Sequence, residues 1–350
     1  MTLDKSKIRI KELDGLRGIA AMSVLAFHYL TKYDLSWGHA VGFWPRFPWG
    51  HYGVQLFFII SGFVISMTLS KTVTIIDFLA NRFCRLYPVY WVAVTVTFSC
   101  LLFFPIKPAP YFIEYLLNLT MLNNVINPFL PHGLQIASVD GVYWTLQIEL
   151  FFYALFLIPF YFGQLKTIEW WAAAWVCARL AVLLMPDNFF TRGIAFIGDL
   201  HYADLFSAGV VFFQCRLGGL KLIHIFLLSF FICSRFLLEG LESSLVVLAC
   251  YGLFFAIHFD RARLLNCRWL VFLGTISYSL YLTHQMIGYC VIYKAYRLEI
   301  SPWCGVLAAS IVSIALASIL TFIIEKPTNH ILRKVWEKQK RPELDCKTIG

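Results

Sequence analysis

Residues 12–28 read Glu12-Leu-Asp-Gly-Leu-Arg17-Gly-Ile-Ala-Ala-Met-Ser-Val-Leu-Ala-Phe-His28, an apolar helical stretch with an arginine near its start and a histidine deep inside. Arg17 and His28 are eleven residues apart, almost three turns of an α-helix, so they share one face about 16 Å apart along the axis. An ionisable side chain in a membrane helix costs roughly 2.5–3.5 kcal/mol and normally faces a bundle interior or a wet cavity. Two interpretations remain open for His28: a buried hydrogen bond to a neighbouring helix, or a functional group.

The composition is that of an integral membrane protein. Of 350 residues, 59% are hydrophobic and 14% are charged, and the mean hydropathy is +0.71, whereas a soluble domain is about half apolar and a quarter charged. The net charge of +9 could indicate nucleic-acid binding. However, the basic residues lie in short loops between apolar runs, as the positive-inside rule predicts. We therefore expect membrane lipids, and no nucleic acid, among the partners.

Ten apolar runs are each near the twenty residues that cross a bilayer, and they predict an all-α, polytopic membrane helix bundle of about ten transmembrane helices. The predicted spans cover about residues 16–33, 52–69, 89–104, 142–162, 170–185, 203–217, 222–238, 245–259, 273–293 and 303–324. Most of the 29 Lys and Arg residues fall on the side that holds both termini, which is therefore predicted to be cytoplasmic. Residues 1–330 would form the membrane-embedded domain and residues 331–350 a charged cytosolic tail. Residues 111–125 would form a helix at the outer interface.

The sequence gives little support for a metal, disulfide or redox site. The ten cysteines include no CxxC pair, and most lie in or beside apolar spans, where a free cysteine behaves as a small hydrophobe. His201 and Asp204 could share a helix face, but two ligands are too few to specify an ion, so no metal is predicted. The first apolar run is not expected to be a cleavable signal, because it contains Arg17 and His28 and lacks a convincing cleavage site.

Five ordered motifs extend from residue 12 to residue 327. They are Asp14-Gly-Leu-Arg17-Gly-Ile-Ala-Ala with His28, then Gly53-Val-Gln-Leu-Phe-Phe-Ile-Ile-Ser-Gly, then Arg82-Phe-Cys-Arg85-Leu-Tyr-Pro-Val-Tyr-Trp, then Trp144-Thr-Leu-Gln-Ile-Glu149-Leu-Phe-Phe-Tyr, and finally Ser277-Tyr-Ser-Leu-Tyr-Leu-Thr-His284 with Ile324-Glu325-Lys-Pro. Together they resemble the membrane-bound acyltransferase-3 family. Its members are multi-pass proteins that move an acyl group, usually acetyl, from a coenzyme A thioester onto a sugar hydroxyl.

Three arginines are candidate ligands of the acyl-CoA phosphates: Arg17, Arg82 and Arg85. Arg82 and Arg85 are three residues apart and would share a helix face, and guanidinium groups suit bidentate contacts with phosphate. Charge alone favours ordinary positive-inside anchoring, whereas the resemblance favours acyl-CoA binding. Pro88 is expected to mark the beginning of the third span.

His28 and Glu149 are the predicted catalytic residues. His28 matches the histidine of the family's first motif and is the candidate general base, which requires a neutral imidazole. Glu149 would lie about 9 Å below the outer end of its span. There it could orient His28, hold the acceptor hydroxyl, or pair with an arginine. His284 is expected to be a packed polar contact and Glu325 a helix-end charge near the lipid headgroups, with no direct catalytic role for either.

These observations predict a multi-pass O-acyltransferase of the inner membrane. The resemblance implies transfer of an acyl group, with acetyl the first choice, from cytosolic acyl-CoA to a hydroxyl of a glycan or lipid-linked saccharide. Acyl-CoA would be a co-substrate, with no bound cofactor. The transfer could be direct or pass through an acyl-enzyme, and a separate partner could complete it. A polytopic secondary transporter is the alternative, because polar residues inside a bundle also mark solute paths.

Overall fold

The computed structural model describes residues 10–39, 44–127, 130, 135–185 and 200–347, and the regular structure in these ranges is helical. The α-helices are α1 (Lys11–Ala26), α2 (Tyr33–Trp37), α3 (Gly53–Leu69), α4 (Ile75–Phe103), α5 (Phe112–Asn118), α6 (Asn123–Ile126), α7 (Trp144–Tyr161), α8 (Ile168–Leu184), α9 (Ala203–Gly218), α10 (Leu222–His258), α11 (Arg268–Arg297), α12 (Pro302–Ile319) and α13 (Lys326–Lys347). Two π-helical segments, Phe27–Lys32 and Leu320–Glu325, join α1 to α2 and α12 to α13. The prediction of an all-α fold is confirmed for the described residues.

Within the same ranges, five helical stretches are long and apolar enough to cross a membrane. They are Pro48–Leu69, Ile75–Phe103, Gly141–Tyr161, Leu222–His258 and Pro302–Gln339. Other predicted spans are less clear: α1 carries Lys11, Glu12, Asp14 and Arg17 in its first half, and α9 has only 16 residues. Sixteen residues extend about 24 Å, less than the roughly 30 Å of a bilayer core. The polytopic bundle is thus supported, while the count of ten spans and the side of the termini stay predictions.

Helix α10 contains two of the predicted spans, residues 222–238 and 245–259. Its backbone leaves the helical region at Gly240, which has a φ of 81° and a ψ of −173°. Glycine adopts this positive φ without the steric cost that a Cβ would add. Because Gly240 lies between the two predicted spans, α10 consists of two helical halves that meet there.

The third long helix starts earlier than the sequence predicts. Helix α4 begins at Ile75, because Thr74 Oγ1 accepts a hydrogen bond from the backbone N–H of Asp77 at 3.1 Å and so caps the helix. Pro88 lies inside α4 and not at its start. A proline inside a membrane helix is tolerated where neighbouring groups satisfy the backbone again. The prediction that Pro88 marks the beginning of this span is therefore wrong, because the helix already begins at Ile75.

The helix expected over residues 111–125 is interrupted. Helix α5 ends at Asn118, and Met121 adopts a φ of 63°, in the left-handed region, before α6 begins. The Asn118 side chain accepts a hydrogen bond from Val139 N–H at 3.1 Å and donates one to Ala137 O at 2.9 Å. These bonds attach the end of α5 to the segment before α7, so the helix does not continue.

Four helices pack so closely that their contacts require glycine. A Cβ added at Gly18 of α1 would lie 2.4 Å from a carbonyl oxygen of α11. One added at Gly53 of α3 would lie 2.6 Å from a carbonyl oxygen of α1, and one at Gly209 of α9 would lie 2.1 Å from a carbonyl oxygen of α3. Small residues let membrane helices approach in this way. We call α1, α3, α9 and α11 the glycine-joined frame, and three of its helices line the site described next.

Candidate active site

Two cavities lie inside the bundle, and we name each after one of its side chains. The Arg17 cavity has an empty volume of about 740 Å³ and the His28 cavity one of about 890 Å³. Val54 of α3 and Tyr281 of α11 line both cavities, so these two side chains separate them. The hydroxyl of Tyr281 donates a hydrogen bond to Val142 O at 3.1 Å, which fixes the ring at this boundary.

Four charged side chains from different parts of the fold line the Arg17 cavity. They are Arg17 of α1, Arg85 of α4, Glu149 of α7 and Glu325 of the second π-helical segment. Two carboxylates thus accompany two guanidinium groups, which limits the cost of placing charge inside a membrane bundle. The remaining wall includes several hydroxyl-bearing side chains, namely Ser61, Thr145, Thr275, Ser277 and Tyr278.

The two arginines of α4 have different surroundings, although the sequence predicts one shared role. Arg85 lines the cavity, whereas Arg82 is only 6% exposed. The guanidinium of Arg82 donates to the hydroxyl of Thr68 and lies 5.2 Å from the ring centroid of Tyr153 and 5.3 Å from that of Phe78. Arg82 therefore packs behind the cavity wall, and Arg85 presents its charge to the cavity.

Each of the two carboxylates of the Arg17 cavity accepts a hydrogen bond from a neighbouring hydroxyl group. Glu149 accepts a hydrogen bond from the Tyr153 hydroxyl at 2.5 Å, in the same cavity as the arginines. Of the three roles considered for Glu149, this position favours pairing with an arginine over orienting His28. Glu325 accepts a hydrogen bond from Ser279 Oγ at 3.1 Å. It belongs to the cavity wall, so the expectation of a helix-end charge at the lipid headgroups is wrong.

His28 lies in the first π-helical segment, a conformation that is frequent at functional sites. Its Nδ1 lies 2.9 Å from Val24 O. A carbonyl oxygen can only accept, so Nδ1 carries the proton and the lone pair of the neutral ring is on Nε2. The same Nδ1 also lies 3.1 Å from Nε2 of His284. The half-buried imidazole lines its cavity, and with Nδ1 engaged by these two contacts, Nε2 is the nitrogen left to accept a proton.

The wall of the His28 cavity combines neutral polar and aromatic side chains with one charged pair, Arg235 and Glu239. The neutral polar and aromatic members include His51, Tyr52, Gln55, Trp144, Tyr202, Ser243 and Gln285. Gln55 Nε2 donates to Ser243 Oγ at 3.0 Å, whereas the buried Gln55 Oε1 has no hydrogen-bond partner among the described residues. The ring centroids of Trp144 and Tyr202 are 5.6 Å apart. Amide and hydroxyl groups beside aromatic rings suit a ligand rich in hydroxyl groups.

A buried ion cluster supports one side of this cavity. Asp204 accepts hydrogen bonds at 2.7 Å from both Arg179 and Arg235, and His201 Nε2 lies 2.9 Å from a carboxylate oxygen of Glu239. His201 and Asp204, considered above as a metal pair, therefore have different partners. Within the part of the chain that the structure describes, no group of three or more His, Cys, Asp or Glu side chains could hold a metal ion.

Comparison with known proteins identifies the class to which this fold and site belong. The family Acyl_transf_3, described as an acyltransferase domain, matches residues 10–322. Because this match covers nearly the whole chain, the protein belongs to the acyltransferase-3 family, and the resemblance of its motifs is confirmed. The five long apolar stretches among the described residues agree with a multi-pass membrane protein of this family.

Three curated relatives illustrate the range of the family. Acyltransferase MdmB of Streptomyces mycarofaciens is 29% identical over 190 residues, which are 51% of this chain and 46% of that protein. Exopolysaccharide production protein ExoZ of Rhizobium meliloti is 27% identical over 260 residues, 68% of this chain and 77% of ExoZ. Peptidoglycan O-acetyltransferase OatA of Listeria monocytogenes is 29% identical over 105 residues, 28% of this chain and 15% of OatA. No solved structure matches the chain.

Proposed function

We propose that this protein is an inner-membrane O-acyltransferase that moves an acyl group, acetyl in the first instance, from cytosolic acyl-CoA to a hydroxyl of a glycan or lipid-linked saccharide. The observation that carries the proposal is the pair of cavities that meet at Val54 and Tyr281, one lined by Arg17 and Arg85 and the other by His28. Two substrates can reach that boundary from different sides. The names of ExoZ and OatA, one concerned with exopolysaccharide and the other with peptidoglycan, support a glycan acceptor.

The Arg17 cavity is the proposed donor site, and acyl-CoA is a co-substrate, not a bound cofactor. Arg17 and Arg85 contact the phosphates of coenzyme A, for which guanidinium groups offer bidentate hydrogen bonds. The pantetheine arm then extends toward Val54 and Tyr281 and brings the thioester to the boundary. In this arrangement the Arg17 cavity opens to the cytoplasm, as do both termini of a ten-span bundle. Glu149 keeps the arginines in place and does not transfer a proton.

His28 is the proposed general base. Its Nε2 takes the proton of the acceptor hydroxyl while the hydroxyl oxygen attacks the thioester carbonyl carbon, because an unassisted sugar hydroxyl is a weak nucleophile. The new carbon–oxygen bond completes the ester, and the carbon–sulfur bond breaks with its electron pair on sulfur. The His28 imidazolium returns the proton to this sulfur, so free CoA leaves as a thiol and the enzyme is unchanged.

The proposal is tested with purified protein, [14C]acetyl-CoA and glycan extracted from cells that lack the gene. We expect alkali-labile label in the glycan, together with an equal amount of free CoA, only when glycan is present. A transporter would release no CoA. Failure to form labelled ester with any extracted glycan fraction, from a protein that still binds acetyl-CoA, would contradict the proposal.

A further inference from the structure

The histidine beside His28 has a defined hydrogen-bonding state. His284 is 1% exposed, and its Nδ1 lies 3.0 Å from both Leu280 O and Tyr281 O. Since carbonyl oxygens only accept, Nδ1 carries the proton, and the lone pair of a neutral His284 is on Nε2. That Nε2 lies 3.1 Å from Nδ1 of His28, whose proton also faces Val24 O. The contact is therefore an N–H of His28 that donates to Nε2 of His284.

A second bond attaches the same two segments. Tyr29, the residue after His28, is fully buried and donates its hydroxyl to the backbone carbonyl of His284 at 2.7 Å. The π-helical segment is thus held against α11 both beside the ring of His28 and one residue further along. Two bonds at adjacent positions restrict rotation of the segment, and hence the direction in which the His28 ring points.

We propose that His284 is a positioning residue for His28. Its Nε2 holds the Nδ1–H of His28, so that Nε2 of His28 faces the cavity, and it continues to accept from Nδ1–H when His28 has taken the substrate proton. A carboxylate could do the same but would add a buried negative charge, which is expensive inside a membrane bundle. A neutral histidine supplies the acceptor without that charge. This inference rests on the proposed function of His28.

Three substitutions separate this role from simple packing. His284→Gln can place an amide oxygen near the position of Nε2 and keep the acceptor. His284→Asn can keep the donation to the helix carbonyls through a group near the position of Nδ1, but it is too short to reach His28. His284→Leu keeps bulk and removes both functions. His224→Gln, at another buried histidine whose Nδ1 contacts Cys215 Sγ at 3.2 Å, controls for general damage.

The measurement is kcat and KM for [14C]acetyl-CoA with extracted glycan, on purified variants whose folding is checked by thermal unfolding. We expect kcat to fall about 10- to 100-fold in His284→Asn and His284→Leu, a part of the roughly 10²–10⁴ that a positioned base supplies, with an unchanged KM. His284→Gln and His224→Gln should retain most of the turnover. If His284→Leu does not fold, the kcat of His284→Asn is compared with that of His284→Gln, and a lower kcat in the Asn variant supports the positioning role.

Two results would overturn the inference: normal turnover in a folded Asn or Leu variant, or turnover in the Gln variant as low as in Asn. Either would leave the proposed function intact as long as His28→Gln is inactive. Normal turnover in His28→Gln would instead show that His28 is not the general base. Failure of the inference about His284 can therefore be distinguished from failure of the proposed function.

Discussion

Nε2 of His284 lies 3.1 Å from Nδ1 of His28, although 256 residues separate the two histidines along the chain. The contact joins the first π-helical segment to α11, where the ring centroid of His284 lies 5.8 Å from that of Tyr281 at the boundary of the two cavities. His28 is thus held by elements from the N-terminal and C-terminal parts of the chain. Its geometry therefore depends on the completed fold and not on a local motif.

Replacing His28 should remove the transfer reaction. A general base typically contributes 10²–10⁴ in rate, so His28→Ala and His28→Gln should both lose turnover by about that factor, since neither can accept the proton. Acetyl-CoA binding should be unchanged, because the arginines line the other cavity. His330→Gln, at an exposed histidine of α13, is the matched control. Near-normal ester formation by His28→Gln would show that the residue is structural.

Arg85→Ala should weaken acyl-CoA binding. A hydrogen bond to a charged group contributes roughly 1.5–3 kcal/mol, and each 1.4 kcal/mol is a factor of ten, so Kd should rise by about one to two decades. Arg85→Lys should recover only part of this, because the planar fork is lost. Equilibrium binding of labelled acetyl-CoA measures the effect, with exposed Arg263→Ala as control. An unchanged Kd for Arg85→Ala would exclude a phosphate contact.

Arg82→Ala should mainly reduce stability. The sequence alone predicts weaker acyl-CoA binding for this variant, but Arg82 is buried against Tyr153, Phe78 and Thr68. Cation–π contacts of this kind are each worth about 0.5–2 kcal/mol. Thermal unfolding in detergent should show a lower midpoint, while the folded fraction binds acetyl-CoA more tightly than Arg85→Ala does. If Arg82→Ala were stable and bound acetyl-CoA more weakly than Arg85→Ala does, the prediction from sequence that Arg82 contacts the phosphates would be supported instead.

Reporter fusions test the ten-span topology. If both termini are cytoplasmic, fusions after Lys71, Lys166 and Arg263 should give a cytoplasmic signal, because the basic loops are retained inside. Fusions near Trp44 and Asn127 should give an external signal. A cytoplasmic signal at Asn127 would mean that a further segment crosses the membrane between α4 and α7, and the count would have to change.

Asp204→Asn should destabilise the fold strongly. It would leave the guanidinium groups of Arg179 and Arg235, 5% and 1% exposed, without their shared carboxylate. Breaking a buried ion pair costs about 3–5 kcal/mol, whereas a surface pair contributes about 0–1. The side chain of Arg46 is 55% exposed and pairs with Asp34. Arg46→Ala should therefore have little effect on the free energy of unfolding in mixed micelles. Equal effects of the two substitutions would contradict this reading of the cluster.

The class of fold could be predicted because apolar runs identify membrane helices. The grouping of Arg17 with Arg85 in one cavity agrees with the resemblance of their two motifs to the family, while their contact with acyl-CoA stays a prediction. The break between the two halves of α10 was also predictable, since Gly240 and its polar neighbours interrupt an apolar run. The apolar runs and the break at Gly240 depend on residues within one or two turns of each other.

What the sequence did not predict depends on contacts between distant segments. From the sequence, Glu325 is predicted to be a charged residue at a helix end. In the folded chain it accepts a hydrogen bond from Ser279, which is 46 residues away. His284 has no local signal that it meets His28, because the two lie on different helices. Arg82 and Arg85 lie in one helix, three residues apart, yet only Arg85 lines the cavity. Arg82 is buried by Thr68 and Tyr153 of other helices, and these contacts cannot be read from the spacing of the two arginines.

The glycine-joined frame has a mechanical consequence. Val54 belongs to α3 and Tyr281 to α11, and both helices press on α1 with no room for a single extra methyl group at Gly53 or Gly18. Helices in such contact cannot slide or separate without breaking backbone packing along their whole length. Opening a passage between the two cavities would therefore require rotation of side chains such as Tyr281, whose hydroxyl would have to leave Val142 O, and not movement of the helices.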